Sequence, residues 1–296
     1  MTDSTLTVGF VGLGMMGEPM TRNLAAARFD LRIYDMDPDR TRALADVLGV
    51  TGVTYAADLA ACDAIVTMLP TSAIVRSVFV DDAGELRIPL RPGTVIVDMS
   101  SSDPNETVET GRMLAKSGVR LVDAPVSGGV ARAIDGTLAI MMGSDDDEAA
   151  AIAERVVAPL SRSVYRTGGL GTGDAMKALN NCVAGAAFAA TSEALIAGRK
   201  FGLDAQQMID IFNDSTGQTF SSTHVFGPHV VDEQYASGFA LPLITKDIRI
   251  AQSLQQAMDR DAPVCDAVTT AFEEALAGLG GVDHTEAYRY WSGESR

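Results

Sequence analysis

At 296 residues, nearly half of them apolar, the chain is long enough for two globular domains with ample cores. Its formal net charge of -16 makes nucleic acid and anionic membranes poor partners, while a local basic site could still hold an anionic substrate. Cys62, Cys182 and Cys265 lie far apart with no CxxC pair, which reads against a structural zinc or a disulfide framework and toward a reducing, cytoplasmic setting. The opening MTDSTLTVGF lacks the basic segment and long apolar run of a signal peptide, and no window reads as a membrane span.

The first half alternates between two patterns. The runs TLTVGFVG, LRIYD, DAIVTML, GTVIVDMS, VRLVDAP and TLAIMMG read as short strands. PDRTRALADVLG, PNETVETGRMLAKSG and GSDDDEAAAIAERV read as helices, the last with acids in its first turn. Continuous apolar strands alternating with helices predict a parallel sheet covered on both faces. RTGGLGTG then reads as a glycine-rich joint, with domains expected at 1–165 and 166–296. Beyond it the strand signal almost vanishes. GDAMKALNNCVAGAAFAATSEALIAGRKFG predicts one helix of about 30 residues, roughly 45 Å long, whose length and position suit a spine between domains. LDAQQMIDIFNDS, LITKDIRIAQSLQQAMDR and APVCDAVTTAFEEALAG complete an all-α second domain.

FVGLGMMGEPM follows the first strand and opens a helix. Gly12, Gly14 and Gly17 satisfy G-x-G-x-x-G, serving a tight turn, close approach to a pyrophosphate and close helix–strand packing. The helix start offers N–H groups to phosphate. Leu13, Met15 and Met16 complete the turn, the two methionines packing beside it. Asp35 ends the second strand, where a carboxylate accepts from both ribose hydroxyls and repels a 2′-phosphate, so NAD is expected in preference to NADP. Leu69 and Pro70, at the end of DAIVTML, fall where such sheets hold ligands and are expected at the adenosine side.

GDAMKALNNCVAG raises a separate question, because a small-residue helix made for burial carries Lys177 and, one turn later, Asn181. Together with DAPVSGG, GTGDAMKALNN and LITKD, the glycine turn gives the chain a resemblance to the β-hydroxyacid dehydrogenase family, 3-hydroxyisobutyrate dehydrogenase-like members in particular. The four stretches fall in family order across nearly the whole chain. The resemblance implies a Rossmann-type domain, a long linking helix and an all-α domain that usually mediates homodimers or homotetramers. It implies that Lys177 is the catalytic lysine with Asn181 beside it. Ser127, Gly128 and Gly129 would hold the substrate carboxylate, and Lys246 would reach the cofactor site. Ser101 stands where close relatives often carry threonine and keeps the hydroxyl.

On that reading Lys177 and Asn181 share one helix face. Desolvation in a cleft lowers an ammonium pKa, allowing Lys177 to exchange a proton with an alcohol while NAD takes the hydride. The expected substrate is a small carboxylate: 3-hydroxyisobutyrate, 3-hydroxypropionate, L-serine, L-threonate, or sulfolactaldehyde on the reverse path. Two alternatives stand beside it, an NADPH-dependent glyoxylate or semialdehyde reductase and a non-catalytic cofactor-binding module. Imine reductases usually replace the lysine, and 6-phosphogluconate enzymes carry a much larger helical domain. No metal is expected, because His224 and His229 lack ligand partners at suitable spacing and read as surface residues, while His284 reads as a cap or hydrogen-bonding residue near a C-terminal helix. The polar segment NDSTGQTFSSTHVF hints at a substrate with further polar groups.

Overall fold

The computed structural model describes residues 6–293. The first five residues, part of the stretch read for a signal segment and the start of the first predicted strand, lie outside them. The chain divides into two compact units, Met1–Lys177 and Ala178–Arg296.

In the first unit, strands β1 (Thr7–Val11), β2 (Asp30–Tyr34), β3 (Thr51–Gly52), β4 (Ala64–Thr67), β5 (Val95–Asp98) and β6 (Arg120–Asp123) form a parallel sheet ordered β3-β2-β1-β4-β5-β6. Helices α1 (Gly17–Ala26), α2 (Pro38–Leu48), α3 (Ser72–Phe79) and α4 (Pro104–Ala115) connect them. Adjacent residues of one strand feed opposite cores. Val95 and Val97 of β5 pack in one apolar cluster and Ile96 in the other. β4 splits likewise, with Ala64 and Val66 against Ile65. Burial on both faces is why these strands are unbroken apolar runs.

Acids start several helices. The side chain of Asp37 accepts from Asp39 N and Arg40 N, that of Asp103 from Asn105 N and Glu106 N, each followed by proline at the first helical position. Asp146 accepts from Ala149 N to open α6 (Asp147–Val157), as its acidic run predicts. α3 and the short α5 (Gly129–Ile134) were not among the predicted helices.

The sheet is not parallel throughout. β7 (Val126–Ser127) and β6 both run antiparallel to β8 (Leu138–Gly143), and β9 (Ser161–Gly168) runs parallel to β8. β9, SRSVYRTG, escaped the sequence reading because it lies at a sheet edge, half exposed and mostly polar. It also moves the boundary. The expected break at 165/166 falls inside a strand hydrogen-bonded to the sheet, so the first unit runs on to Lys177.

α7 (Thr172–Phe201) spans 30 residues, as predicted, and supplies the last residues of the first unit and the first of the second. The second unit adds α8 (Ala205–Asn213), a π-helical turn at Ser222–Val231 with Pro228 inside it, α9 (Leu241–Ala257), α10 (Pro263–Leu279) and α11 (Ala287–Ser292). Phe188, Phe226, Phe272 and Tyr288 fill its core. A Cβ at Gly185 would lie 2.7 Å from Ile248 Cδ1, so glycine lets α7 and α9 pack closely.

Candidate active site

The β1–α1 turn is built by three glycines with different surroundings. Gly12 has φ of 97°, which excludes most side chains, and a Cβ there would overlap Met68 O and lie 2.9 Å from Leu69 Cδ2. A Cβ at Gly17 would overlap Gly12 O. A Cβ at Gly14 would meet nothing within 4 Å. The first and third glycines thus serve the protein's own packing, while the second leaves the backbone open to a ligand. That combination fits a dinucleotide pyrophosphate.

The neighbouring predicted residues converge on this turn, at the carboxyl ends of β1, β2, β4 and β5. The strand order reverses between β1 and β4, where open α/β sheets bind ligands. Gly12 N donates to Tyr34 O, and Leu13 N donates to Asp35 Oδ2 at 2.7 Å. Leu69 N donates to Ser100 Oγ at 2.9 Å, tying the β4 end to the β5 end beside Ser101. Pro70 is exposed beside Leu69. Leu13 contributes only its backbone, its side chain being buried in the core. Met16 packs against that core, whereas Met15 is 70% exposed. Asp35 is held by its own fold as well, accepting from Asp37 N at 2.9 Å and lying 3.5 Å from Arg40 Nη1.

A second group, missed by the sequence reading, lies at the ends of β5 and β6. Asp98, Asp123 and Asp174 are all buried. Asp123 Oδ1 accepts from Gly171 N at 2.7 Å and Oδ2 from Asp174 N at 2.9 Å. A carboxylate at the end of β6 therefore caps α7 from outside the helix. Asp174 in turn accepts from Ser102 N and Thr107 Oγ1, while Asp98 accepts from Thr67 Oγ1 and Ser102 Oγ. Burial pushes Asp123 up to about 6, and backbone N–H groups, Gly171 first, oppose the rise. Burial, then the charges of Asp123 and Asp98, push Asp174 well above the carboxylate range. Lys177 follows one turn later and is partly buried. The acid in DAP and the acid in GDAMK were the available signals, but acids beside glycine turns look like solvated loop residues.

Ser127 ends β7, and Gly128 and Gly129 follow with φ of 142° and 68°, a backbone path that favours glycine at both. In the second unit, Asn181 Nδ2 donates to Asp247 Oδ2 at 2.6 Å, and Asp247 Oδ1 lies 3.5 Å from Lys246 Nζ. Asp247 is buried and Lys246 partly so. LITKD thus delivers an organised Asn181–Asp247–Lys246 set in place of the simple exposed pair its sequence allows. Asn180 donates to Asn181 Oδ1.

The histidines divide. His224 is exposed and stacks on Phe220, whereas His229 is partly buried, contrary to a purely surface reading. His284 is buried beside α11 with Nδ1 3.1 Å from Phe239 O, and burial lowers its pKa. Among the described residues, no group of three or more His, Cys, Asp or Glu could hold a metal ion, and no helix is long and apolar enough to cross a membrane. Cys182 Sγ and Cys265 Sγ, 83 residues apart in sequence, lie 3.4 Å from each other as thiols.

Comparison with known proteins covers both units. Residues 7–169 match the NAD binding domain of 6-phosphogluconate dehydrogenase, and residues 171–291 match the family described as NAD-binding of NADP-dependent 3-hydroxyisobutyrate dehydrogenase. The chain is 33% identical over 293 residues to 2-(hydroxymethyl)glutarate dehydrogenase of Eubacterium barkeri, covering 98% of this chain and 96% of that protein. It is 37% identical over 256 residues to human mitochondrial 3-hydroxyisobutyrate dehydrogenase, covering 84% and 75%. Among solved structures, Mycobacterium tuberculosis 3-hydroxyisobutyrate dehydrogenase with L-serine superposes with a TM-score of 0.87 at 29% identity, covering 97% of this chain and 99% of that one.

Proposed function

The chain belongs to the β-hydroxyacid dehydrogenase family, and from that premise we propose that it oxidises the carbinol of a short 3-hydroxy acid with NAD, using Lys177 as general base. The observation that carries this reading is the external cap on α7. Asp123 holds Gly171 N and Asp174 N, which registers the turn bearing Lys177 against the carboxyl end of the sheet. A bound nicotinamide supplies the hydride acceptor. Lys177 Nζ, in its neutral form, takes the hydroxyl proton as the carbinol carbon loses hydride, leaving the semialdehyde; in reverse the ammonium returns it. Asn181, four residues along the helix and fixed by Asp247, orients the lysine or the substrate hydroxyl. Ser127 and the backbone of Gly128 and Gly129 take the substrate carboxylate, and Lys246 serves the cofactor side.

Asp35 supports NAD, since its carboxylate repels a 2′-phosphate. Arg40, 3.5 Å from that carboxylate, is the feature that favours a second reading with NADP. 3-Hydroxyisobutyrate and 2-(hydroxymethyl)glutarate, named in the relatives above, share a primary alcohol one carbon from the carbon bearing the carboxylate, and both fall within the proposed class. Exposed Met176, Leu179 and Val183 along α7 support self-association as a dimer or tetramer, which light scattering tests. Reduced Cys182 and Cys265 suit a cytoplasmic setting.

The test is a panel of 3-hydroxy acids with NAD or NADP, following nicotinamide absorbance, for the native chain and Lys177→Ala. The native chain should turn over at least one acid faster with NAD. Lys177→Ala should lower kcat by about 10²–10⁴-fold while cofactor affinity holds. Tight cofactor binding with no turnover of any acid sinks the proposal in favour of a non-catalytic module.

A further inference from the structure

Arg132 stands apart from the other arginines. In a chain with 39 acidic against 23 basic residues, an arginine that is not exposed finds a partner easily. Arg32 donates to Asp58 O, Arg120 to Asp146 and Glu148, and Arg289 to Glu286. Arg132 is partly buried, yet its guanidinium makes no hydrogen bond or ion pair among the described residues. A partly desolvated guanidinium without a partner is costly, and five donors in a planar fork are suited to a carboxylate.

Its place is specific. Arg132 lies on α5, four residues after Gly128, and long helical side chains run back toward the helix start. A Cβ at Gly128 would lie 2.6 Å from Arg132 Cδ, 2.8 Å from its Cβ and 3.1 Å from its Cγ. The arginine stem is therefore packed along the very turn proposed to take the substrate carboxylate. Gly128 is required twice, for its φ of 142° and for the room this stem occupies. One carboxylate is already served by the Ser127 hydroxyl and the turn's backbone, which leaves the guanidinium for a second anionic group.

We propose that Arg132 is a specificity-determining residue that recognises a second carboxylate, so that the site favours 3-hydroxy diacids over 3-hydroxy monoacids. This rests on the reading of Ser127–Gly129 as the carboxylate site. The experiment compares kcat/KM with NAD for 2-(hydroxymethyl)glutarate and 3-hydroxyisobutyrate in the native chain, Arg132→Met and Arg132→Lys. Methionine keeps the packed stem without the charge, and lysine keeps a charge without the fork. The native chain should prefer the diacid, and Arg132→Met should lower the diacid-to-monoacid ratio of kcat/KM by tenfold or more, mainly through the diacid KM, with lysine in between. An unchanged ratio, or equal losses on both acids, overturns the inference and leaves the dehydrogenase reading intact. Failure of the native chain on both acids overturns this inference, whereas only failure on every acid of the wider panel removes that reading. A turnover-free check is thermal stabilisation by glutarate over butyrate with cofactor present, which Arg132→Met should abolish; no difference in the native chain also overturns the inference.

Discussion

Two glycines of one motif should fail in opposite ways. At Gly17 an added methyl overlaps Gly12 O and sits 2.9 Å from Gly12 C and 3.2 Å from Phe10 Cε1, so nearly everything it meets is backbone or buried ring. Neither can swing aside, and α1 must retreat from β1. Overpacking of a core typically costs about 1–3 kcal/mol, and backbone overlap belongs at the top of that range or above it. For a unit of this size, roughly 3 kcal/mol corresponds to a fall of about 6–12 °C in Tm. At Gly14 the same methyl meets nothing within 4 Å, and its φ lies outside the left-handed region. Gly14→Ala should therefore keep native stability or gain up to about 1 kcal/mol by restricting the unfolded chain. Its methyl does occupy the face where a pyrophosphate must approach the backbone, so NADH affinity should fall tenfold or more, about 1.4 kcal/mol. Thermal unfolding by circular dichroism and NADH fluorescence titration on both variants separate the two effects. Native NADH affinity in Gly14→Ala, or native Tm in Gly17→Ala, would refute the division of roles.

The Asp123 cap makes stability depend on pH. Its folded pKa, about 6, lies above its ordinary 3.8, so its protonated form is favoured by the fold, and that contribution is full below 3.8 and lost as pH rises through 6. Relative to Asp123→Asn, the native chain should gain stability as pH falls from 7 to 4 in urea titrations, and a flat or opposite difference counts against it. Asp123→Asn also turns an NH2 toward a capped N–H, which should destabilise α7 by about 1–3 kcal/mol at pH 7. The Asn181–Asp247 bond is open to a double-mutant cycle with alanine, where coupling of about 1–3 kcal/mol in unfolding free energy is expected and additivity would show the two to be independent. Burial, then the hydrogen bond and charge of Cys265, push the Cys182 thiol up to about 12. Alkylation at pH 8, followed by mass spectrometry, should run roughly a thousandfold below an unperturbed thiol, and rapid labelling would contradict this environment.

Much of the fold is local enough to be read along the chain. Strands buried on both faces must be apolar at every position, as Val95–Val97 are, and acid–proline pairs at Asp37–Pro38 and Asp103–Pro104 announce helix starts by chemistry confined to a few residues. The Gly12, Gly14 and Gly17 spacing carries its own context in the strand before it and the helix after it. β9 went unread because an edge strand with half-exposed polar residues has no burial pattern to show. Its pairing with β8, Leu138 with Ser161 through Gly143 with Gly168, and hence the true end of the first unit, depends on a partner distant in sequence.

The site divides along the same line. Helical spacing put Lys177 and Asn181 on one face and the family resemblance singled them out, while the glycine turn was legible because backbone geometry restricts residue choice. Asp123, Asp174, Asp247 and Arg132 were not. An aspartate is ordinary until its carboxylate is found capping a helix 48 residues away, and an arginine until its neighbours prove to offer it nothing. Local spacing set the glycine turn and the face shared by Lys177 and Asn181; only the packed chain, by choosing which polar groups lose their water and which partners replace it, decided what holds them in place.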